Sequence, residues 1–298
     1  MKEDCTLIAT LPSMNCLDNV RDAFSRPEIS EVRFNTGSVS PYSPHETVKI
    51  LKELSCEYGK KLWVDLKGRQ LRVTEWGNPL FSCIKINHKI NVENGARIYL
   101  RNGECCRIMH IEDGNKLYVD PLPRHAVGAG QSVNIMSKSL KIHGYLTEQD
   151  EQYIDACGKE GIKSFFLSFA EQEDDIAQVM KQIPDAEVVL KIESEGGMRL
   201  MERMVPGARY MAARDDLYIQ TGTGMMEKLH RIIQKDEGAI CASRIFLSLE
   251  KSNTPEFCDY TDLELMYRMG YRNFMLCDNV CNHALRPALD VWNKWLSI

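Results

Sequence analysis

No run of 18 consecutive apolar residues occurs in this 298-residue chain, so no transmembrane helix is expected. Its first residues, Met1-Lys2-Glu3-Asp4, carry acids and lead into no signal-peptide hydrophobic stretch. An excess of basic charge is also lacking. The 37 Lys and Arg face 42 Asp and Glu, and a net charge of −5 argues against nonspecific nucleic-acid binding. There is no internal repeat and no low-complexity segment. The eleven cysteines include no CxxC pair; Cys105 and Cys106 are adjacent, and Cys277 and Cys281 flank Asp278-Asn279-Val280 without a matching second pair. A zinc site is therefore not expected. Several cysteines sit in apolar runs such as Ala239-Ile240-Cys241-Ala242, and they read as reduced, buried small hydrophobes. What these absences leave is a soluble cytoplasmic protein with no membrane or nucleic-acid partner. At 44% hydrophobic it can bury one large core beside a small inserted domain.

The C-terminal half alternates short apolar runs with helical patterns. Strands are expected at 164–168, 187–192, 208–212, 239–242 and 273–276. Helices are expected at 173–182, 197–204, 224–234, 261–269 and 283–295. Consecutive strand–helix units mean a parallel sheet. The N-terminal part adds strands at 6–9, 31–34 and 62–65, with a helix at 45–58. Three strands and five make eight, the number in a (β/α)8 TIM barrel, so the fold class is α/β.

Between residues 77 and 141 the pattern changes to short strands. They fall at 96–100, 106–111 and 116–119, and the turn signals Arg101-Asn102-Gly103-Glu104 and Glu112-Asp113-Gly114-Asn115 separate them. This predicts a small antiparallel β-domain at 77–141, inserted after the third barrel strand, with 1–76 and 142–298 forming the barrel. A domain inserted there is expected over the C-terminal face of the barrel, as a lid that excludes water.

The chemistry gathers at strand ends. The second strand ends in Arg33 with Asn35 beyond it, and the third in Asp65 with Lys67 and Arg72 following. The fifth ends in Lys191 and Glu193, the sixth in Arg214, Asp215 and Asp216, and the seventh in Ser243 and Arg244. A single charged residue past a strand reads as a solvated surface residue. Five strand ends carrying cations, carboxylates and a hydroxyl describe a pocket for an anionic ligand and a metal. Two carboxylates suit Mg²⁺, which leaves its other positions to water and phosphate oxygens. A nearby lysine neutralises charge on a transferring phosphoryl group.

These segments resemble the pyruvate kinase family. Arg33-Phe34-Asn35 with Glu46-Thr47 behind it is similar to the family's second-strand motif and following helix. Asp65-Leu66-Lys67-Gly68 with Arg72 resembles DxKGPxxR, and Tyr145 to Asp150 resembles the segment re-entering the barrel. Phe166-Leu167-Ser168-Phe169 resembles the next strand, Lys191-Ile192-Glu193 resembles KIEN, and Ala213-Arg214-Asp215-Asp216-Leu217 resembles ARGDLG. The resemblance is collinear over nearly the whole chain.

It implies that Glu193 and Asp216 hold a divalent ion, Mg²⁺ or Mn²⁺, and that Lys191 stabilises the phosphoryl group in flight. Arg33 binds phosphate, and Ser243 stands where a family hydroxyl serves the enolate's proton. Asp215, Asp216, Ser243 and Arg244 join Arg33 and Lys191 around the substrate. Asn35 and Asp65 fall at a K⁺ site. Asn35, Lys67 and Arg72 fall where the family contacts nucleotide.

There are departures. Gly37 and Ser38 replace a serine and a histidine, Gln70 an acid, Asp215 a glycine, Arg244 a glutamine, and Cys277-Asp278-Asn279 an SGE segment. The chain stops after the expected eighth helix, with no counterpart of the family's C-terminal regulatory domain. The implied reaction is metal-dependent phosphoryl transfer between phosphoenolpyruvate and ADP through enolpyruvate. The alternatives are a metal-dependent lyase or transferase acting on pyruvate or phosphoenolpyruvate without nucleotide, and a non-catalytic binding protein. A monomer and a homodimer through barrel helices are both compatible.

Overall fold

In the computed structural model the described residues are 2, 4–75, 83–100, 103–203 and 208–297. Residue 77, where the inserted domain is expected to begin, lies outside them. So do Arg101 and Asn102 of one expected turn and Met204, the expected end of a helix.

The chain forms two compact units, 1–66 with 150–298 and 67–149. The first contains β1 (Thr6–Thr10), α1 (Leu17–Ser25), β2 (Glu31–Asn35), α2 (Pro44–Tyr58) and β3 (Lys61–Leu66). Seven strands follow in the second: β4 (Cys83–Lys85), β5 (Ile90–Asn91), β6 (Arg97–Leu100), β7 (Cys105–Glu112), β8 (Lys116–Asp120), β9 (Val133–Met136) and β10 (Lys141–Ile142). The chain then runs through α3 (Glu148–Glu160), β11 (Ser164–Leu167), α4 (Glu173–Gln182), β12 (Glu187–Ile192) and α5 (Glu195–Arg203). It continues with β13 (Arg209–Ala213), α6 (Arg214–Thr221), α7 (Met225–Lys235), β14 (Ile240–Ala242) and α8 (Phe257–Met269). It closes with β15 (Asn273–Leu276), α9 (Asp278–His283) and α10 (Leu285–Ser297).

Eight parallel strands close into a barrel in the order β1-β15-β14-β13-β12-β11-β3-β2, which bears out the expected fold class. Side chains alternate across each strand. One set, Ile8, Trp63, Phe166, Val189, Met211, Ile240, Ala242 and Met275, fills the interior. Trp63 and Phe166 stack there with ring centres 4.6 Å apart. The alternate set, including Leu7, Val32, Val64, Phe165 and Leu190, is equally buried. Burial on both faces is why these strands read as unbroken apolar runs.

α2 starts where local chemistry dictates. Ser43 and Glu46 form a reciprocal capping box around Pro44, and Gly59 ends the helix at φ 64°. α6 departs from expectation. It begins at Arg214, directly at the end of β13, so Arg214, Asp215 and Asp216 form the first turn of a helix and not the tail of a strand. α1 and α3 were also not expected. The helix expected at 283–295 is α10, shifted to 285–297, with Pro287 in its first turn, where its missing N–H costs nothing; the short α9 precedes it and ends at Ala284 (φ −137°).

The second unit is a five-stranded antiparallel sheet, β4-β8-β7-β6-β9, with a two-stranded pair β10-β5. It has its own apolar core, including Ile84, Ile86, Ile98, Ile108, Leu117 and Val119. Residues 71–73 join it: Arg72 bridges to Ser132 and Val73 to Ile86, and Leu71 and Val73 pack into that core. All eleven cysteines are free. Cys106, Cys157, Cys241 and Cys281 are buried as expected, but Cys16, Cys56, Cys105 and Cys258 are exposed. They lie at helix starts, on outer helix faces and on an outer strand face, positions that an apolar-run argument does not reach.

Candidate active site

The C-terminal ends of β2, β3 and β12 bring Arg33, Asp65, Lys191 and Glu193 together, and Ser168, just past β11, joins them. Arg33 Nε donates to Asp65 Oδ2 at 2.8 Å, and Nη2 pairs with the same oxygen. Arg33 Nη1 donates to Thr10 Oγ1 at 3.0 Å, and the Thr10 hydroxyl donates to the Leu276 carbonyl at 2.7 Å. Lys191 Nζ lies 3.0 Å from Glu193 Oε1 and 3.5 Å from Asp65 Oδ2. It also donates to Ser168 Oγ at 2.8 Å, and the Ser168 hydroxyl donates to Asp65 Oδ1 at 3.1 Å. Glu193 Oε2 accepts the Phe169 backbone N–H at 2.7 Å.

This network is almost dry: Asp65 is 0% exposed and Glu193 1%. Charges in such a place persist only when paired. Burial pulls the Arg33 pKa down, but the charges of Asp65 and Asp278 outweigh it and leave it raised. Burial also pulls Lys191 toward neutrality. Asp65 and Glu193 outweigh it, against opposition from Arg33, and its pKa is raised too. Both cations therefore stay charged.

Asp216 is half-buried in the first turn of α6, where the helix dipole favours a carboxylate. Asp215 lies beside it and forms an ion pair with Arg244. Arg214, at the end of β13, has partners of its own. It is 4% exposed and forms a bidentate pair with Asp262, both contacts at 2.7 Å. Its Nε and Nη2 also hold the Ser243 carbonyl, at 3.0 and 2.7 Å. That grip matters because the turn after β14 is strained: Ser243, Arg244 and Phe246 all have positive φ, 65°, 60° and 57°. Arg214 is thus a brace for the turn that carries Ser243.

Asn35 is buried at the end of β2, its Oδ1 accepting the Gly37 N–H at 3.1 Å. Lys67 and Arg72 belong to the second unit. Lys67 is buried. Arg72 donates to Gln70 Oε1 from Nε and Nη2, at 2.9 and 2.7 Å, and to the Gly130 carbonyl at 2.6 Å.

Three site residues escape the sequence reading: Thr10, Ser168 and Asp278. They stand just past or at the ends of β1, β11 and β15. The signal that found the others, a polar residue at a strand end, would have found these as well. Glu193 and Asp216 are the carboxylates expected to hold a cation; Glu193 lies just past β12 and Asp216 in the first turn of α6. Among the described residues no group of three or more His, Cys, Asp or Glu side chains is placed to hold a metal ion. Two carboxylates match the hard-oxygen, water-completed shell that Mg²⁺ prefers.

Comparison with known proteins agrees with the barrel fold. The family description "Pyruvate kinase, barrel domain" matches residues 17–277. A pyruvate kinase of Thermoplasma acidophilum is 21% identical over 282 residues, covering 86% of this chain and 51% of that protein. A pyruvate kinase of Debaryomyces hansenii is 25% identical over 183 residues, 58% of this chain and 36% of that protein. The chain thus spans about half or less of the length of these curated relatives. It belongs to the pyruvate kinase family, by its barrel domain.

Proposed function

We propose that this protein transfers a phosphoryl group between phosphoenolpyruvate and ADP with a divalent metal ion. The observation that supports this most is the buried Lys191 ammonium, paired with Glu193 and Asp65 while Arg33 answers the same aspartate. Two dry, permanently charged cations beside a carboxylate pair suit a trianionic phosphate ester better than a neutral substrate. Glu193 and Asp216 would hold Mg²⁺ or Mn²⁺. When bound, the ion supplies charge neutralisation and a template for the phosphoryl oxygens.

The chain's own residues supply the rest. Arg33 orients the phosphoryl group, and Lys191 neutralises the charge that spreads over its oxygens during transfer. Ser243, on its strained turn, handles the proton exchanged at the enolate carbon. Asp215, Asp216 and Arg244 border the substrate. Asn35, Lys67 and Arg72 are assigned to the nucleotide. Asp65 already answers Arg33, Lys191 and Ser168, so with Asn35 it contributes little to a K⁺ site.

A second reading, a metal-dependent lyase or transferase acting on pyruvate or phosphoenolpyruvate without nucleotide, is favoured by Arg72, whose guanidinium is committed to Gln70 and Gly130. Incubation with phosphoenolpyruvate, ADP and Mg²⁺ or Mn²⁺, following ATP and pyruvate, separates the two. Formation of both products supports phosphotransfer. Metal-dependent phosphoenolpyruvate binding without ATP leaves the second reading, and absence of metal binding sinks both.

A further inference from the structure

The geometry points to Ser168 as the residue that positions Lys191, an inference that rests on the phosphotransfer reading and adds a residue to it. Ser168 lies just past β11, the strand between β3 and β12 in the barrel, and it is fully buried. An ammonium can only donate and an ionised carboxylate can only accept. The hydrogen-bond chain therefore has one direction: Lys191 Nζ donates to Ser168 Oγ at 2.8 Å, and Ser168 donates to Asp65 Oδ1 at 3.1 Å.

Lys191 has three N–H bonds and three partners, Ser168, Glu193 and Asp65. The two carboxylates hold it by charge, and such attraction is weakly directional. The lysine stem is flexible and its ammonium behaves as a point charge. The hydroxyl is the one neutral partner, and it is held in place by an aspartate that Arg33 in turn holds.

The backbone next to it is built for the same task. Phe169 has φ 48°, a strained conformation for a residue with a side chain. Its N–H donates to Glu193 Oε2 at 2.7 Å. Residues 168 and 169 thus fix both Lys191 and Glu193, one by a hydroxyl and the other by an amide.

The test uses the full chain with Ser168→Ala, Ser168→Cys and Ser168→Thr. Two readouts are taken: steady-state kinetics, and the rate at which formaldehyde and cyanoborohydride methylate Lys191, followed by peptide mass spectrometry. Loss of the hydroxyl in Ser168→Ala is expected to lower kcat about 10- to 100-fold, the kinetic equivalent of one hydrogen bond to a charged group, with KM changed less than about 3-fold. Lys191 is expected to be methylated faster than in the parent protein. Ser168→Cys, nearly isosteric but a poor hydrogen-bond partner, should behave like Ser168→Ala and stands in for it if the alanine variant does not fold. Ser168→Thr, which keeps the hydroxyl, should recover kcat and protection. Parental kcat and an unchanged methylation rate in the hydroxyl-free variants would overturn the inference. If the parent protein itself makes no ATP, the phosphotransfer reading fails, and the methylation rates still decide whether Ser168 positions Lys191.

Discussion

At the scale of single residues, the site is a set of charges that burial would extinguish without partners. Lys191 is the sharpest case. Lys191→Met should remove turnover while leaving Mn²⁺ binding at Glu193 intact, measured by paramagnetic resonance titration of free Mn²⁺. The pH dependence has a definite sign. The folded pKa of Lys191 is raised above its ordinary 10.5 by Asp65 and Glu193 in spite of burial. Its contribution to stability is therefore complete below the unfolded value and is lost only as pH rises through the folded one. A pH–rate profile should show no alkaline limb from this residue below the ordinary lysine value. Arg214 behaves differently although it is just as charged. Arg214→Met should cost about 2–4 kcal/mol in urea unfolding, since it leaves Asp262 unpaired, and this loss belongs to the turn after β14 and not to phosphate binding.

At the scale of elements, two short segments carry separate predictions. Ser43→Ala removes the capping box of α2 and should cost about 1 kcal/mol, read as a lowered urea midpoint. Ser243→Gly tests the strained turn after β14. Glycine accepts φ 65° without penalty, so the variant should gain up to about 1 kcal/mol of stability and lose the hydroxyl proposed to handle the enolate proton. A stabilised and slowed variant is the expected result, while a destabilised one would show that the turn is not strained in solution. The same segments show how far the sequence could be read. α4, β12 and β15 have the expected bounds because flanking turns and caps mark both ends. α6 was missed because β13 passes into it with no intervening residue, and nothing punctuates the join.

For the whole molecule, the strand ends act together only because the barrel closes. Adding Mn²⁺ at about 100 times its dissociation constant should raise folding stability by about 2.7 kcal/mol if it binds the folded barrel alone, measured as a shift in thermal midpoint. Glu193→Ala and Asp216→Ala should abolish that shift. Exchanging K⁺ for a larger organic cation at constant ionic strength should change kcat little, because Asp65 is already answered by Arg33, Lys191 and Ser168.

The sequence by itself pointed to the barrel, since eight apolar runs alternating with helical patterns match the strand count of a closed parallel barrel. It also marked Arg33, Asp65, Lys191 and Glu193, because charges at the ends of buried strands stand out. What only the tertiary structure decided is which charges answer which. Arg33 and Asp65 are 32 residues apart, and Ser168 and Asp65 are 103 apart. Arg214, next to Asp215 in sequence, turns to Asp262 while Asp215 pairs with Arg244. Local pattern reports burial and periodicity, which are properties of one strand, whereas pairing depends on distances across strands that exist only once the barrel has closed.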